Sequence, residues 1–353
     1  MFATPRSSLS NKRLIMKSKK LKAGIIGLGV GEKHIHAYNS HCSCEVISIC
    51  DFNKQKLEEV SAKYPLLTLT NNADNILTDP EINIVSIASY DNFHFEHIKQ
   101  AIKHGKHIYV EKPLCLFENE AKEIKKLLNA HPEIHLSSNL VLRTCPRFIR
   151  LKKAIQDGEM GNIYNIQADY LWGRIHKLLK GWRKDMNFYS IINGAAVHMV
   201  DLVLWLTGML PLEVTGYSNR IATRDSAMKY NDFTAFLLKF ESSMIAEIKA
   251  HGGCVHPHFH NLNIMGTKKT FMQNILGAKW INSMNPDDAL QDIKEEYPEK
   301  TKRIVALTSF IDSIIDNNIT PLVSKKDVFN TISVCFAAEK AIQKNKTVKI
   351  NYI

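Results

Sequence analysis

The sequence predicts an α/β protein in which a doubly wound parallel sheet is followed by a second α/β domain with a mostly antiparallel sheet. Short apolar runs alternate with amphipathic stretches over the first 140 residues, and a glycine-rich turn follows the first run. After residue 140, longer strand-like segments are joined by short connections. At 353 residues the chain is long enough for two domains, which we expect at 21–140 and 141–353.

Five apolar runs in the N-terminal part have the length and composition of buried strands. They are Ala23 to Ile26, Val46 to Cys50, Ile84 to Ala88, His107 to Val110 and Ile134 to Ser137. Amphipathic helices are predicted between them, at Asp51 to Tyr64, Phe93 to His104 and Leu116 to Ala130. This alternation is typical of a parallel sheet that is covered by helices on both faces.

The C-terminal part has a different pattern. It begins with a helix at Phe148 to Gly158, a strand at Ile163 to Trp172 and a helix at Ala195 to Thr207. Four strand-like segments follow at Glu213 to Asn219, Phe233 to Phe240, Met244 to His251 and His258 to Met265. Closing helices are predicted at Thr308 to Asn317 and Lys325 to Gln343. Short connections between the strands favour antiparallel pairing.

The glycine-rich turn at Gly27, Gly29 and Gly31 predicts a dinucleotide site. It follows a strand, opens a helix and precedes a second strand that ends on Asp51, 20 residues beyond Gly31. Glycines let the backbone approach a pyrophosphate at the helix N-terminus, and a carboxylate at Asp51 accepts hydrogen bonds from ribose hydroxyls. Because this carboxylate repels a 2′-phosphate, NAD is favoured over NADP.

The turn departs from the usual G-x-G-x-x-G spacing. Gly31 comes one residue early, and Glu32 occupies the place expected for the third glycine. We therefore expect a turn that is shortened by one residue. For the three glycines alone, an ordinary strand-to-helix turn without a ligand is the alternative interpretation.

A lysine is predicted to face the cofactor where the fourth predicted strand ends in Glu111-Lys112-Pro113. Ligands of doubly wound sheets bind beyond the carboxyl ends of the strands, so Lys112 is expected at the nicotinamide crevice. A lysine there can exchange a proton with a substrate oxygen during hydride transfer. Pro113 fixes the chain direction, which a cis peptide bond would achieve. When Lys112 is considered alone, the alternative interpretation is a surface lysine at a strand end.

The net charge of +11 is concentrated at the N-terminus and does not predict nucleic-acid binding. Residues 1–20 hold six of these charges and no acid, which leaves +5 over the other 333 residues. We expect this segment to be a disordered tail, with Met16 as an alternative start and a mitochondrial presequence as another alternative.

Hydrophobicity and cysteine usage favour a cytoplasmic protein. No apolar run approaches the roughly 20 residues that cross a bilayer, so no membrane span is expected. The seven cysteines are scattered, odd in number and form no C-x-x-C pair, which predicts reduced thiols.

Several motifs occur in the order that is found in one known family. They are IGLGVGEKHIHA (26–37), VSIASYDNFHFEHIKQAIKHGKHIYVEKPL (85–114), NLVLRTCPRF with LKKAIQDGEMGNI (139–163), GWR (181–183), AVHMVDLVLWLTG (196–208) and IMGTKKTF (264–271). On these motifs, above all E-K-P with a downstream H-x-x-D helix, the chain resembles the Gfo/Idh/MocA family. This family is named for glucose–fructose oxidoreductase and inositol dehydrogenase. The match runs over nearly all of residues 21–353.

The resemblance implies a Rossmann domain, a C-terminal α/β domain with an open sheet, and a homodimer or homotetramer. It implies that Lys112 is the catalytic lysine, that Glu111 positions the nicotinamide ribose and that His198 is the active-site histidine. Ser89 and His94 belong to the element that the family writes A-T-P-N-x-x-H, and both are implied to bind the cofactor.

Two departures from the family pattern bear on the site. The A-T-P-N element reads Ala88-Ser89-Tyr90-Asp91, and Tyr90 is expected either to cover the cofactor or to be a plain loop residue. Polyol dehydrogenases of the family carry D-x-G-x-H, whereas this chain has Gly194 in place of the aspartate. We therefore expect Lys112 to transfer the proton and His198 to hold the substrate oxygen. A hydrogen-bonded core position is the alternative for His198.

Residues around the predicted site are assigned to the substrate. Asp201 lies on the same helical face as the predicted active-site histidine, and it is expected to contact substrate together with Arg183 and Trp182. Tyr170 and Trp172 are interpreted either as part of a sugar pocket or as packing residues.

Three histidines, His256, His258 and His260, alternate on one predicted strand, so their side chains share a face. No acid pair accompanies them, and we expect no metal site. The alternatives are pocket histidines and surface histidines.

The sequence therefore predicts an NAD-dependent oxidoreductase that transfers hydride between nicotinamide and a secondary alcohol or ketone of a sugar, nucleotide sugar or cyclitol. The absent motif aspartate and the mildly basic body favour nucleotide sugars over inositol. One alternative is a dinucleotide-binding regulator without catalysis, which the retained Lys112 argues against. Another is glycoside cleavage in which NAD transiently oxidises the sugar.

Overall fold

The structure is a computed structural model that describes residues 20–353. The basic N-terminal segment that is predicted to be a tail lies outside these residues, apart from its last one. Within the described part, no helix has the length and apolar character that a bilayer span requires.

The N-terminal half forms a parallel sheet, as predicted, but with six strands instead of five. Its strands are Leu21–Ile26 (β1), Cys44–Cys50 (β2), Thr68–Thr70 (β3), Ile84–Ile87 (β4), His107–Val110 (β5) and Leu136–Ser138 (β6). Their spatial order is β3-β2-β1-β4-β5-β6. The order reverses between β1 and β4, and this switch point is where doubly wound sheets bind nucleotides.

Helices cover both faces of this sheet. They are Leu28–Asn39 (α1), Lys54–Lys63 (α2), Asp74–Leu77 (α3), His94–Lys103 (α4) and Glu118–Ala130 (α5). Successive side chains of β5 belong to different buried clusters, because Ile108 and Val110 pack with α4 and α5 whereas Tyr109 packs with α1 and α2. This alternation follows from the two-residue period of a strand.

One strand of this sheet is missing from the sequence prediction. The edge strand β3 has three residues, of which two are threonines, so it is too short and polar to give an apolar run. The prediction that Lys112 follows the fourth strand is wrong for this reason, and the residue follows the fifth. The extra strand does not change the predicted location of Lys112 beside the end of β4, since β4 and β5 are neighbours.

The C-terminal half forms a nine-stranded, mostly antiparallel sheet. Its strands are Ile163–Leu171 (β7), Pro211–Asn219 (β8), Phe233–Phe240 (β9), Ile245–His251 (β10), Phe259–Gly266 (β11), Thr270–Asn274 (β12), Gly277–Ile281 (β13), Gln291–Asp292 (β14) and Val348–Lys349 (β15). The order is β14-β13-β12-β11-β7-β10-β9-β8-β15, in which β7 and β10 are parallel. The last four strands were not predicted, and two of them have only two residues.

Five helices belong to the C-terminal half of the chain. They are Pro146–Gln156 (α6), His176–Leu179 (α7), Val197–Thr207 (α8), Ile304–Ile315 (α9) and Lys325–Lys344 (α10). A π-helical turn, Ile192–Ala196, leads directly into α8. Gly208, in the left-handed conformation, ends α8. The π turn and α8 are buried over almost their whole length, which fixes the side chains they carry.

The helix α9 packs against the first sheet although it lies far along the chain. Leu307, Phe310 and Ile311 join the buried cluster of α1, and the Phe310 ring lies 5.7 Å from that of Tyr109. The predicted division into 21–140 and 141–353 therefore does not hold for α9. Amphipathic periodicity indicates a helix but does not indicate which sheet its apolar face covers.

A buried ion pair joins the segment after β6 to α8. Arg143 and Asp201 are 2% and 1% exposed, and their Nη2 and Oδ1 atoms are 2.6 Å apart. The Asp201 Oδ2 atom accepts a second bond from Nε of Arg143, and Thr331 of α10 donates to Oδ1. The predicted substrate contact of Asp201 is therefore wrong, because its carboxylate is buried and engaged by these partners.

The Asp201→Asn substitution should destabilise the protein by about 2–3 kcal/mol, because it removes the fully buried one of the two carboxylates that pair with the Arg143 guanidinium, the other being Asp327 at 3.1 Å. Urea unfolding measures this loss. Glu159→Gln is the matched control, since Glu159 pairs with Arg150 at 3.0 Å with both side chains about one-third exposed. It should cost no more than about 1 kcal/mol. Equal losses for the two variants would contradict the structural role of Asp201.

Candidate active site

The glycine turn is shaped by close contacts on one side and open space on the other. Gly27 has a φ of +90°, and a Cβ there would overlap the Ala88 carbonyl oxygen. A Cβ on Gly31 would lie 2.9 Å from Cγ2 of Ile25, so Gly31 allows α1 to pack closely on β1. At Gly29 no atom outside its own turn lies within 4 Å of a Cβ position. The turn thus has room for a ligand at Gly29.

The early third glycine has a structural explanation. The helix α1 begins at Leu28, directly after Gly27, so Gly31 already lies on the helix face that contacts the sheet. Glu32 points elsewhere and forms 2.6 Å ion pairs with Lys56 and Lys63. Packing against the sheet, the usual task of a third glycine, is therefore done by Gly31 in this chain.

Asp51 lies beside the turn, as predicted. Its Oδ2 atom accepts a 2.7 Å bond from the Leu28 backbone N–H, and its Oδ1 atom accepts a 2.8 Å bond from the Asn53 N–H. Each oxygen has further lone-pair capacity for a hydroxyl donor. With the open Gly29 and the α1 N-terminus, this carboxylate fits the ribose and pyrophosphate of a dinucleotide.

Glu111 is a buried carboxylate at the end of β5. Its Oε1 atom lies 3.3 Å from Nε2 of His34 and accepts a hydrogen bond from the Asn139 amide. Burial opposes ionisation, but His34, Lys112 and Asn139 together hold the pKa of Glu111 below its ordinary value. The site therefore holds a fixed negative charge directly before Lys112.

Lys112 connects the two halves of the site. Its Nζ atom donates a 3.1 Å bond to the carbonyl oxygen of Gly194 in the π turn. The following peptide bond to Pro113 is cis. Burial lowers the pKa of Lys112 from its ordinary 10.5, while the charges of Asp91 and Glu111 act in the opposite direction. The structure thus places this ammonium at the boundary between the Rossmann sheet and the second domain.

The loop after β4 is held in place by His94. The ring is fully buried, with Nδ1 at 2.7 Å from the Pro113 carbonyl oxygen and Nε2 at 3.1 Å from that of Ser89. The predicted cofactor contact of His94 is therefore wrong, because both ring nitrogens face protein carbonyls. Ser89 itself is half-buried at the carboxyl end of β4, and its hydroxyl lies 3.1 Å from Nδ1 of His97.

The position of the missing aspartate is filled by a tyrosine. A Cβ on Gly194 would overlap the Tyr189 hydroxyl and would lie 2.9 Å from Cζ of that ring. Tyr189 is 3% exposed, and its hydroxyl makes no well-aligned hydrogen bond in the described chain. Burial raises the pKa of Tyr189, and the nearby Arg183 guanidinium opposes this rise. A neutral phenol therefore stands beside the Gly194 carbonyl that binds Lys112.

His198 lies at the start of α8 among other aromatic rings. It stacks on Tyr170 at 5.7 Å with an angle of 8° between the rings, and its Nδ1 atom is buried without a partner. Burial, followed by the charge of Lys112, lowers the pKa of His198 well below its ordinary value. The ring is thus a neutral group that can donate or accept one hydrogen bond.

Two of the three alternating histidines join this cluster. His260 is buried, and its ring lies 4.8 Å from that of Tyr170, whereas His258 is exposed and bonds the carbonyls of Leu171 and Trp172. Within residues 20–353, no group of three or more metal-ligating side chains is found.

Trp182 and Arg183 connect the two domains above the cleft. The Trp182 ring stacks on Tyr90 at 4.6 Å, and Tyr90 contacts Phe52 at 5.4 Å. The Arg183 guanidinium lies 4.2 Å from the Trp182 ring and 5.4 Å from that of Trp172. These side chains extend from the loop after β2 to the region of Lys112.

Three residues of the site were missed in the sequence. His34 supports Glu111, Tyr189 occupies the space beside Gly194, and Arg174 follows the end of β7 with its Nε atom buried and unpartnered. Of these, only Arg174 gave a signal that could have been used. It is a charged residue directly after the apolar Tyr170 to Gly173 segment, at a strand end.

A Rossmann sheet with an open glycine turn, next to a lysine at the neighbouring strand end, defines a dinucleotide-dependent oxidoreductase. Residues 21–139 match the family model described as an oxidoreductase family with an NAD-binding Rossmann fold. Residues 148–272 match the GFO/IDH/MocA C-terminal domain. The chain therefore belongs to the GFO/IDH/MocA oxidoreductase family, and it is an NAD-binding enzyme.

Comparisons with individual proteins agree with this assignment. An uncharacterized oxidoreductase of Synechocystis is 28% identical over an alignment of 272 residues that covers 71% of this chain and 71% of its own. The D-glucoside 3-dehydrogenase of Escherichia coli is 23% identical over 74% of this chain and 73% of its own. The crystal structure of scyllo-inositol dehydrogenase from Lactobacillus casei, with NAD(H) and scyllo-inositol, superposes with a TM-score of 0.78. That match is 20% identical and covers 94% of this chain and 99% of that one.

The turn predicts different outcomes for two glycine substitutions. Gly27→Ala should destabilise the apoprotein by about 2 kcal/mol or more, through the positive φ and the overlap with Ala88. Gly29→Ala should change stability by less than about 1 kcal/mol, because its methyl group meets open space within a helix. It should instead weaken NAD binding by about tenfold or more, as the methyl group fills the ligand space.

Urea unfolding and NAD titration by fluorescence measure the two effects separately. If Gly29→Ala bound NAD as well as the unchanged protein, the open space at Gly29 would not be part of the cofactor site.

Proposed function

We propose that this protein transfers hydride between NAD and a secondary alcohol or ketone of a sugar, nucleotide sugar or cyclitol, with Lys112 as the proton-transfer group. The observation that carries the proposal is the placement of Lys112. It stands at the carboxyl end of β5, beside the switch point of the sheet and facing the second domain. Related proteins named for glucosides and inositols support the substrate class.

The residues of the first sheet are proposed to hold the cofactor. Gly29 and the N-terminus of α1 receive the pyrophosphate, Asp51 accepts hydrogen bonds from the adenosine ribose, and Glu111 orients the nicotinamide ribose. When bound, NAD supplies the nicotinamide ring that accepts or donates the hydride. Ser89, at the end of β4, borders the same cleft.

Lys112 is proposed to move the hydroxyl proton. In the oxidation direction the neutral amine accepts the proton of the substrate hydroxyl, and in the reduction direction the ammonium returns it. Burial lowers the pKa of Lys112 below its ordinary value, which increases the fraction of neutral amine at a given pH. His198, which is neutral, is proposed to hold the same substrate oxygen by a hydrogen bond.

The substrate is proposed to lie between Lys112 and the second sheet. Arg183 and Trp182 border this space from one side, and Tyr170, stacked on His198, borders it from another.

The pH dependence of the reaction tests the role of Lys112. Because the neutral amine is the base, kcat/KM for alcohol oxidation should rise as pH increases through the pKa of Lys112, which lies below 10.5. The reverse reduction needs the ammonium, so its rate should fall over the same range. Lys112→Ala should abolish the pH dependence of both directions and reduce kcat on the order of 10²- to 10⁴-fold.

Lys103→Ala, at the exposed end of α4, is the matched control and should keep the profile of the unchanged protein. Absorbance of the reduced cofactor provides the measurement, with sugars, nucleotide sugars and inositols as substrates. A Lys112→Ala variant with an unaltered rate would rule out the proposed proton transfer.

A further inference from the structure

Cationic and donor groups on the substrate side of Lys112 have no carboxylate partner in the part of the chain that the structure describes. The Nε atoms of Arg174 and Arg183 are buried and unpartnered, and so is the Tyr189 hydroxyl. Arg183 stands next to that hydroxyl but is not aligned for a hydrogen bond to it. Within residues 20–353, neither arginine is within ion-pair distance of a carboxylate. Such groups are costly to bury unless something supplies the missing acceptor.

The two guanidinium groups are held in place by aromatic side chains. Arg183 lies between the rings of Trp182 and Trp172, at 4.2 and 5.4 Å from their centroids. Arg174 follows β7 and lies beside the hydroxyl of Tyr170, the ring that stacks on His198. Both arginines are also close enough to Lys112 to repel its charge. They therefore lie on the second-domain side of Lys112, within electrostatic range of its ammonium.

The carboxylates near Lys112 do not form ion pairs with the two arginines. Glu111 lies within ion-pair distance of His34 and accepts a hydrogen bond from Asn139 on the Rossmann side. Asp91 is buried in the loop after β4, where its charge acts on Lys112. The position beside the Lys112 anchor, Gly194, carries no side chain, and the space next to it is filled by a phenol. The charges that act at Lys112 are thus its own and those of two arginines against two carboxylates.

We propose that the substrate carries an anionic group close to its reacting carbon, bound by Arg174 and Arg183 and by the Tyr189 hydroxyl. The chemistry of two guanidinium forks suits a carboxylate on the sugar ring or a phosphate ester, since both accept paired hydrogen bonds. This inference rests on the proposed function and names the substrate class of the same site. A neutral polyol would leave the guanidinium charges without a counter-charge.

Equilibrium binding tests this inference without requiring turnover. Calorimetry on the NAD-saturated protein would compare neutral hexoses with their uronates in gluco, galacto and manno configurations. Glucose 1-phosphate and UDP-glucose would be compared with glucose in two further titrations. In at least one of these comparisons, the anionic ligand should bind on the order of 10- to 100-fold more tightly than its neutral counterpart. Preference for uronates identifies a ring carboxylate, and preference for the other two ligands identifies a phosphate.

Substitutions show which residues cause the preference for anionic ligands. Arg174→Gln and Arg183→Gln should each reduce the ratio of anionic to neutral affinity by about tenfold. Tyr189→Phe should reduce it less, by about threefold, because it removes one uncharged donor. Lys126→Gln, on the exposed part of α5, removes one positive charge elsewhere and should leave the ratio unchanged. Circular dichroism confirms that each variant is folded.

The failure of this inference differs from the failure of the proposed function. Equal affinity for anionic and neutral ligands, or no anionic binding at all, overturns the inference, whereas reduction of NAD by a neutral sugar would still support the oxidoreductase proposal. Selective anion binding without cofactor reduction supports the inference and counts against hydride transfer. If Arg174→Gln and Arg183→Gln weakened only NAD binding, the arginines would serve the cofactor and the inference would be overturned.

Discussion

The hydrogen bond between the Lys112 ammonium and the Gly194 carbonyl is the interaction on which the site depends. Lys112 extends from the parallel sheet, and Gly194 belongs to the π turn before α8, so this bond joins the two domains at the reacting centre. His198 follows Gly194 by one helical turn, and Tyr189 lies against it. Positions on the second domain are therefore fixed relative to a group on the first.

The surroundings of Lys112 combine burial with unequal charge. Burial favours the neutral amine, the carboxylates of Asp91 and Glu111 favour the ammonium, and the arginines act with burial. Such opposing influences are typical of groups that must gain and lose a proton during a reaction. The fixed charge of Glu111 is maintained by His34 and Asn139.

Supporting residues far from the chemistry hold this arrangement. His94 bonds carbonyls of both loops that border the cleft, and the Arg143–Asp201 pair anchors α8 to the segment after β6. The packing of α9 on the first sheet adds a second connection between the halves of the chain. The cleft thus lies between elements that are joined at several points.

The sequence contains strong local signals for the parallel sheet, the glycine turn and Lys112, because strand alternation and strand-end chemistry depend on neighbouring residues. The sequence does not show which distant residue a given side chain will contact in the folded protein. Asp201 shares a helical face with His198, but the residue that meets it, Arg143, lies 58 positions earlier. Tyr189 likewise gives no signal, since its place beside Gly194 arises only from the π turn. The edge strand β3 is too short for any pattern.

The most direct test of the central claim is a crystal structure of the complex with NAD and a bound substrate or product. The account predicts that Lys112 Nζ lies at hydrogen-bond distance, about 2.7–3.2 Å, from the oxygen on the reacting carbon. It also predicts that this carbon faces C4 of the nicotinamide ring. A complex in which Lys112 remains bonded to Gly194 while the reacting oxygen is bound by other groups would contradict the account.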